Sequence, residues 1–204
     1  LEARAGRAVF LDINSKAYEA IVGNISLNGL DGKAIAINKS IQEFANTSKE
    51  RFDAIDLDPF GTPAPYVFDL MKISKDGTLF MATATDTATL CGAEGKASLR
   101  IYGAKAINGY ICHEASIRIL LAYFAKMAAQ LNYGIEPLLS LAELHYVRIF
   151  LKLNRGSEKA VKSVESIGFA SLCRKCGSFY YSRYCPNQKC EFCGTETQAF
   201  GPLW

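Results

Sequence analysis

The residues best equipped for chemistry in this 204-residue chain are Asp56-Leu57-Asp58-Pro59-Phe60-Gly61. They follow Phe52-Asp53-Ala54-Ile55, whose apolar alternation reads as a buried strand. A strand ending in an acid, a proline, an aromatic and a glycine brings a carboxylate, a free carbonyl and a flat ring to one spot at the carboxyl edge of a sheet. That set suits an amino group on a flat base. Asp58 and the Pro59 carbonyl accept the two amine hydrogens while Phe60 stacks on the base, which turns the nitrogen lone pair toward an electrophile. The competing reading is an Asp-Pro turn that only opens the next helix.

Asp12 ends the strand Ala8-Val9-Phe10-Leu11, where a carboxylate can accept both hydroxyls of a nucleoside ribose; the alternative is a helix cap. Thr85 and Asp86 follow another strand and reach the same kind of edge, with a simple cap by Asp86 as the competing role. Cys112-His113-Glu114 starts a long helix, where His113 shapes a pocket or contacts nucleic acid. Cys91 lies in a loop without a preceding proline, which disfavours a covalent cysteine mechanism.

Near the C-terminus, Cys173-Arg174-Lys175-Cys176 and Cys190-Glu191-Phe192-Cys193 each set two thiolates on one knuckle, and the two pairs together close a tetrahedral zinc site. Redox chemistry fits one such pair better than two. Cys185 has no partner at two-residue spacing and reads as a free thiol, with replacement of Cys190 as its alternative. Tyr180, Tyr181, Arg183, Tyr184 and Lys189 between the knuckles mix aromatics with cations in the manner of RNA-binding ribbons, or else pack a very small core.

The elements that must position these groups alternate. Strand Ala8–Leu11 is followed by a helix capped by Asn14 or Ser15 and stopped at Asn28-Gly29. Further strands are expected at 34–37, 54–57 and 78–82, with a helix over 63–73 opened by prolines. A Gly-rich loop (Gly92, Gly95, Gly103, Gly109) leads to a long helix over about 113–131. Residues 137–141 and 146–151 are two strands too close in sequence to pair other than antiparallel. Alternating strands and helices imply a doubly wound parallel sheet, and a terminal antiparallel hairpin is unusual for a dinucleotide-binding Rossmann fold.

Half of the residues are hydrophobic and 21% are charged, an ordinary globular composition that argues against disorder. The chain shows neither a membrane-spanning run nor a signal-peptide core, and its paired cysteines point to metal in a reducing compartment, so it is expected to be cytoplasmic. Net charge is only +3, but from Lys152 onward eight Lys and Arg face four Glu.

The closing hairpin resembles the sheet of the class I methyltransferases, which use S-adenosylmethionine (SAM). In that fold the first strand carries a Gly-rich loop and lies between the second and fourth, and residues 1–8 hold no such strand. The resemblance therefore implies a chain that starts just after that loop, with its sheet cut in two.

Asp56 to Pro63, Thr83-Ala84-Thr85-Asp86 with Leu90-Cys91-Gly92, Arg100 to Lys105, Cys112-His113-Glu114 with Arg118-Ile119-Leu120, His145-Tyr146-Val147-Arg148 and Gly201-Pro202-Leu203-Trp204 together resemble the tRNA (guanine-N2)-dimethyltransferase family. The resemblance runs in order through nearly the whole chain. It implies one and then a second methyl transfer from SAM to the exocyclic N2 amine of a guanosine at position 26 of tRNA, with tRNA as partner and no membrane. It assigns Asp58, Pro59 and Phe60 to catalysis, Asp12, Ser40 and Asp56 to the cofactor, and Thr85, Asp86 and His113 to the substrate. Zinc is assigned to Cys173, Cys176, Cys190 and Cys193. Where related enzymes offer an acid to the adenine amine, this chain reads Asn38-Lys39-Ser40, so Ser40 or a backbone group takes that role.

The expected domains are a class I methyltransferase domain over 1–155 and a zinc-ribbon-like start of a tRNA-binding domain over 165–204. Two other functions use the same features: another amino-methyltransferase, acting on DNA or protein glutamine, and a non-catalytic RNA-binding module of methyltransferase-like fold.

Overall fold

The computed structural model describes residues 6–184 and 189–204, and the chain divides into two units, Leu1–Glu50 and Arg51–Trp204. In the first unit, β1 (Ala8–Leu11) pairs in parallel with β2 (Ala34–Ile37), from Ala8 opposite Ala34 to Leu11 opposite Ile37. Between them runs α1 (Ser15–Leu27), and α2 (Ile41–Thr47) follows β2. Each helix begins where a side chain satisfies orphan N–H groups. The Asn14 amide oxygen accepts from Lys16 N (2.9 Å) and Ala17 N (3.3 Å), and Ser40 Oγ accepts from Glu43 N (3.1 Å).

The second unit opens with β3 (Phe52–Leu57), α3 (Ala64–Lys72) and β4 (Ser74–Ala84). Two short helices, α4 (Thr87–Leu90) and α5 (Gly95–Tyr102), precede the long α6 (Cys112–Ala129). The hairpin β5 (Tyr133–Glu143) and β6 (Tyr146–Arg155) completes a mixed sheet in the order β3-β4-β6-β5, with β3 and β4 parallel and the other pairs antiparallel. The β1–β2 pair of the first unit is a two-stranded sheet of its own. Then come α7 (Ser157–Glu165), β7 (Gly168–Leu172), β8 (Phe179–Ser182) and β9 (Gln198–Leu203), the three strands forming an antiparallel sheet in the order β8-β7-β9.

The core of the second unit lies between the mixed sheet and α6. Phe80, Ala82 and Ala84 of β4 and Val147, Ile149, Leu151 and Leu153 of β6 are buried, as are Ile119, Leu120 and Phe124 of α6. The Phe80 and Phe124 rings meet edge to face at 5.5 Å, and each such buried side chain contributes about 1.5–3 kcal/mol. Pro137 falls at a register shift in β5, an edge strand, which is where a residue without an N–H fits a sheet.

Several elements differ from sequence expectation. The Gly-rich stretch 92–109 contains α5, because Gly95 opens the helix and Gly103 closes it rather than interrupting it, and α4 precedes the stretch. Strand β4 begins four residues early: Thr78 Oγ1 donates to Phe52 O (2.6 Å) and accepts from Lys75 N (2.9 Å), which carries the pairing past Gly77. The C-terminal sheet lies within the second unit. Lys105 and Gly201 exchange backbone hydrogen bonds (2.7 and 2.9 Å), and Arg118 Nη1 donates to Trp204 O (2.8 Å). Among the described residues, no helix is long and apolar enough to cross a membrane.

Candidate functional site

The Asp58-Pro59-Phe60-Gly61 turn leaves the carboxyl end of β3, and the neighbouring strand end holds it. Gly61 N donates to Thr85 Oγ1 (2.8 Å) and Thr85 N donates to Gly61 O (2.9 Å), so Thr85 clamps the turn from both sides. Gly61 has φ +79°, a conformation that a side chain at this corner would strain. Asp58 is exposed and, among the described residues, its carboxylate makes no hydrogen bond or ion pair. Phe60 is fully exposed, at 105% of its reference area, so the ring contributes nothing to the core and is free to stack on a ligand.

Asp56 is already paired. Arg148 Nη2 donates to Asp56 Oδ1 (2.9 Å) and Oδ2 (2.8 Å), while Arg148 Nη1 reaches Thr83 Oγ1 at 2.6 Å. One guanidinium thereby ties the ends of β3, β4 and β6, and its plane lies over the Phe150 ring at 5.1 Å. With Asp56 about half exposed, solvent screens the pair, and its value is geometric more than energetic.

Asp86 is not a side-chain helix cap; it accepts from the Tyr102 hydroxyl at 3.0 Å on both oxygens. The Tyr102 oxygen accepts in turn from Thr62 Oγ1 (2.7 Å), and the Tyr102 ring packs edge to face on Tyr123 at 5.6 Å. Tyr123 then donates to Ala64 O (3.0 Å), so a chain of hydroxyls braces the start of α3. Burial raises the Asp86 carboxyl, with the Tyr102 hydrogen bond opposing it. Burial, followed by the Asp86 charge, likewise raises the Tyr102 phenol.

His113 is exposed at the start of α6, beside Cys112 and Cys91. Burial, followed by Cys112, pushes the Cys91 thiol up to about 11, far from a thiolate nucleophile at neutral pH.

In the first unit, Asp12 is half buried at the end of β1, and its Oδ1 accepts from Asn14 N at 2.7 Å. Asn38 holds the adjoining strand end, its Nδ2 donating to Asp12 O (2.9 Å) and Ile13 O (3.1 Å). This fits the absence of an acid at position 38, where the amide ties two strand ends together. Ser40 Oγ is engaged as an acceptor at the α2 cap and retains its hydroxyl proton for donation.

In the tail, Cys173, Cys176, Cys190 and Cys193 converge. Their Sγ atoms stand 3.5 Å apart for Cys173–Cys193 and 3.4 Å for Cys176–Cys190. The two knuckles share one hydrogen-bond pattern. Cys173 N donates to Ser178 O (2.9 Å) and Gly177 N to Cys173 O (2.9 Å), matched by Cys190 N to Thr195 O (2.8 Å) and Gly194 N to Cys190 O (2.9 Å). The Tyr180 hydroxyl, 3.4 Å from Cys190 Sγ, is the main cause of a Cys190 thiol lowered to about 5. Cys185 lies outside the described residues.

Sequence reasoning passed over Tyr102 and did not give Arg148 a role. The available signals were a lone tyrosine closing an amphipathic helix and an arginine at an otherwise alternating strand position.

Taken together, this is the α/β fold of the SAM methyltransferases with a mixed sheet. It aligns over the full chain with the structure of Trm1 from Pyrococcus horikoshii in complex with S-adenosyl-L-methionine, with a TM-score of 0.87 and 32% identity, covering 57% of that chain. Residues 1–204 match the family described as N2,N2-dimethylguanosine tRNA methyltransferase, and the chain belongs to it. Among curated relatives, the tRNA (guanine(26)-N(2))-dimethyltransferase of Methanothermobacter thermautotrophicus is 35% identical over 195 residues, 95% of this chain and 51% of that protein. The enzyme of the same name from Methanosarcina acetivorans is 39% identical over 196 residues, 95% of this chain and 50% of that protein. The chain thus spans about half the length of these relatives.

Proposed function

We propose that the protein carrying this chain is a SAM-dependent methyltransferase that mono- and dimethylates the N2 amine of guanosine 26 in tRNA. The observation that carries the reading is the clamped turn at the end of β3, with its Asp58 carboxylate, unpaired among the described residues, and its wholly exposed Phe60 ring. Guanine N2 has its lone pair conjugated into the ring and is a poor nucleophile. Asp58 and the Pro59 carbonyl accept its two hydrogens, Phe60 stacks on the base, and the lone pair is drawn out of the ring plane. SAM supplies the electrophilic methyl group.

As the N–C bond forms and the S–C bond breaks, Asp58 takes the displaced proton, assistance of about 100- to 10,000-fold. The monomethylated amine keeps one hydrogen, enough for Asp58 to repeat the step while the first methyl group occupies the place of the Pro59 contact. Asp12 accepts the cofactor ribose hydroxyls and Ser40 donates toward its adenine. Asp56, paired with Arg148, and Thr85 hold the strand ends; Asp86 and His113 face the substrate.

The tail fits zinc through Cys173, Cys176, Cys190 and Cys193: paired thiols on matching knuckles are the donor set of a closed structural site. Its aromatics and cations suit tRNA, with the domains divided as 1–155 and 165–204. Paired cysteines suited to metal and a tRNA substrate support a cytoplasmic location.

Methyl transfer from labelled SAM to tRNA, compared with the same tRNA carrying inosine at position 26, tests the reading. Inosine lacks the 2-amino group and should accept no label. Equal labelling of the inosine transcript overturns the assignment.

A further inference from the structure

A second group of soft ligands lies outside the tail. Cys91 follows α4, on the loop leaving the Thr85–Asp86 corner, and Cys112 and His113 open α6. Their two sulfurs and a ring nitrogen of His113 all lie within 4.8 Å of one another. Neither the amine-accepting turn nor the tail cluster accounts for this convergence. We propose that Cys91, Cys112 and His113 form a second transition-metal site, for a zinc-type divalent cation.

Spacing, donor chemistry and rigidity support it. Zinc–sulfur and zinc–nitrogen bonds of about 2.3 and 2.0 Å set tetrahedral ligand atoms roughly 3.3–3.8 Å apart, and the observed group, with no pair beyond 4.8 Å, comes within about 1.5 Å of that spacing. Two thiolates and an imidazole select zinc-type cations over magnesium or calcium.

The two chain segments that carry the ligands are locked together. Gly92 has φ +83°, and a Cβ there would stand 2.8 Å from Ile107 C and 3.0 Å from Asn108 N, so backbone touches backbone immediately after Cys91. From Asn108 the chain turns directly into Cys112, whose N donates to Gly109 O (3.0 Å), and Asn108 O is anchored by Arg174 Nη2 (2.8 Å).

A buried hydroxyl braces the first turn of α6, which carries two of the ligands. Ser116 is fully buried and its Oγ donates to the His113 carbonyl oxygen at 2.6 Å. A disulfide would use the two sulfurs and leave the third ligand without a role. His113 is exposed, so the fourth coordination position opens to solvent and the site is more labile than a four-thiolate cluster. The cation staples the loop that carries Asp86 to the start of α6.

The test counts zinc in the whole protein, purified under reducing conditions, and in single variants. Wild type should hold two equivalents, and Cys112→Ser and Cys190→Ser one each. His113→Asn changes an exposed side chain and so leaves the fold intact; it should release one equivalent at a chelator concentration at least about tenfold lower than wild type. If Cys190→Ser keeps all its zinc while Cys112→Ser loses it, this inference stands and the tail assignment fails. Wild-type zinc unchanged by both Cys112→Ser and His113→Asn overturns it, as does a Cys91–Cys112 disulfide in the purified protein.

Discussion

Asp58→Asn separates chemistry from folding more sharply than any other substitution at this turn. The swap keeps the shape and one acceptor oxygen but removes the charge and the proton sink. Loss of general-base assistance costs about 100- to 10,000-fold in turnover, equivalent to roughly 2.7–5.4 kcal/mol of transition-state stabilisation. The structural cost should be close to nil. Among the described residues Asp58 has no hydrogen bond or ion pair to lose, and the turn is held through Gly61 and Thr85. Exposed substitutions of this kind stay within about 0.5 kcal/mol, which for a unit of this size is a melting shift of about 1–2 °C. The assay is single-turnover transfer of labelled methyl groups to tRNA by the whole protein, with a thermal melt on the same preparation. Turnover within a few-fold of wild type refutes the amine-acceptor role. A melting point lowered by more than about 5 °C refutes the claim that the residue is structurally idle.

Metal analysis of the tail should show one zinc equivalent lost in Cys190→Ser and none in Cys185→Ser. Removing the tail metal should abolish hydrogen-exchange protection in β8 while the β3-β4-β6-β5 sheet keeps its own, since so short a segment cannot build a sufficient core; the reverse pattern in the two cysteine variants moves the fourth ligand to Cys185. Burial raises the Asp86 carboxyl above 3.8, so the folded state binds this proton more tightly than the unfolded chain. That contribution is fully present below the unfolded pKa and is lost as pH rises through the folded one. Asp86→Asn does not ionise and still accepts from Tyr102, so its melting temperature should gain on wild type as pH rises from about 3 and level off above the folded pKa; a variant whose deficit widens over that range contradicts the sign.

What was legible in the sequence was local. Strand β3, the turn after it and the proline-opened α3 are written in contiguous residues, as are the knuckles with their two-residue spacing. Asn14 announces its helix because an amide oxygen at that position satisfies the first N–H groups. What escaped depends on partners far away in sequence. Arg148 meets Asp56 across 92 positions only because β6 runs antiparallel beside β4 and brings the start of β6 to the end of β3. Tyr102 reaches Thr62 across 40 positions and Asp86 across 16, and a glycine at each end of α5 disguised its helix as loop. Asp56 looks like a free acid at a strand end until the arginine that neutralises it is placed.

The turn after β3 holds the chemistry, yet almost nothing in it is held by its own side chains. Asp58 and Phe60 project outward, and the geometry that makes them useful is imposed on the backbone by Thr85 and, at Asp56, by Arg148. Such an arrangement suits a reaction performed twice on one nitrogen. A carboxylate and a ring engaged in internal contacts would have to break them for each substrate state, whereas groups fixed only through the main chain meet amine and methylamine alike. The same logic gives Tyr102 its place: it satisfies the half-buried Asp86 and Thr62 at once, so that the second strand end keeps its shape and holds Asp86 in one orientation.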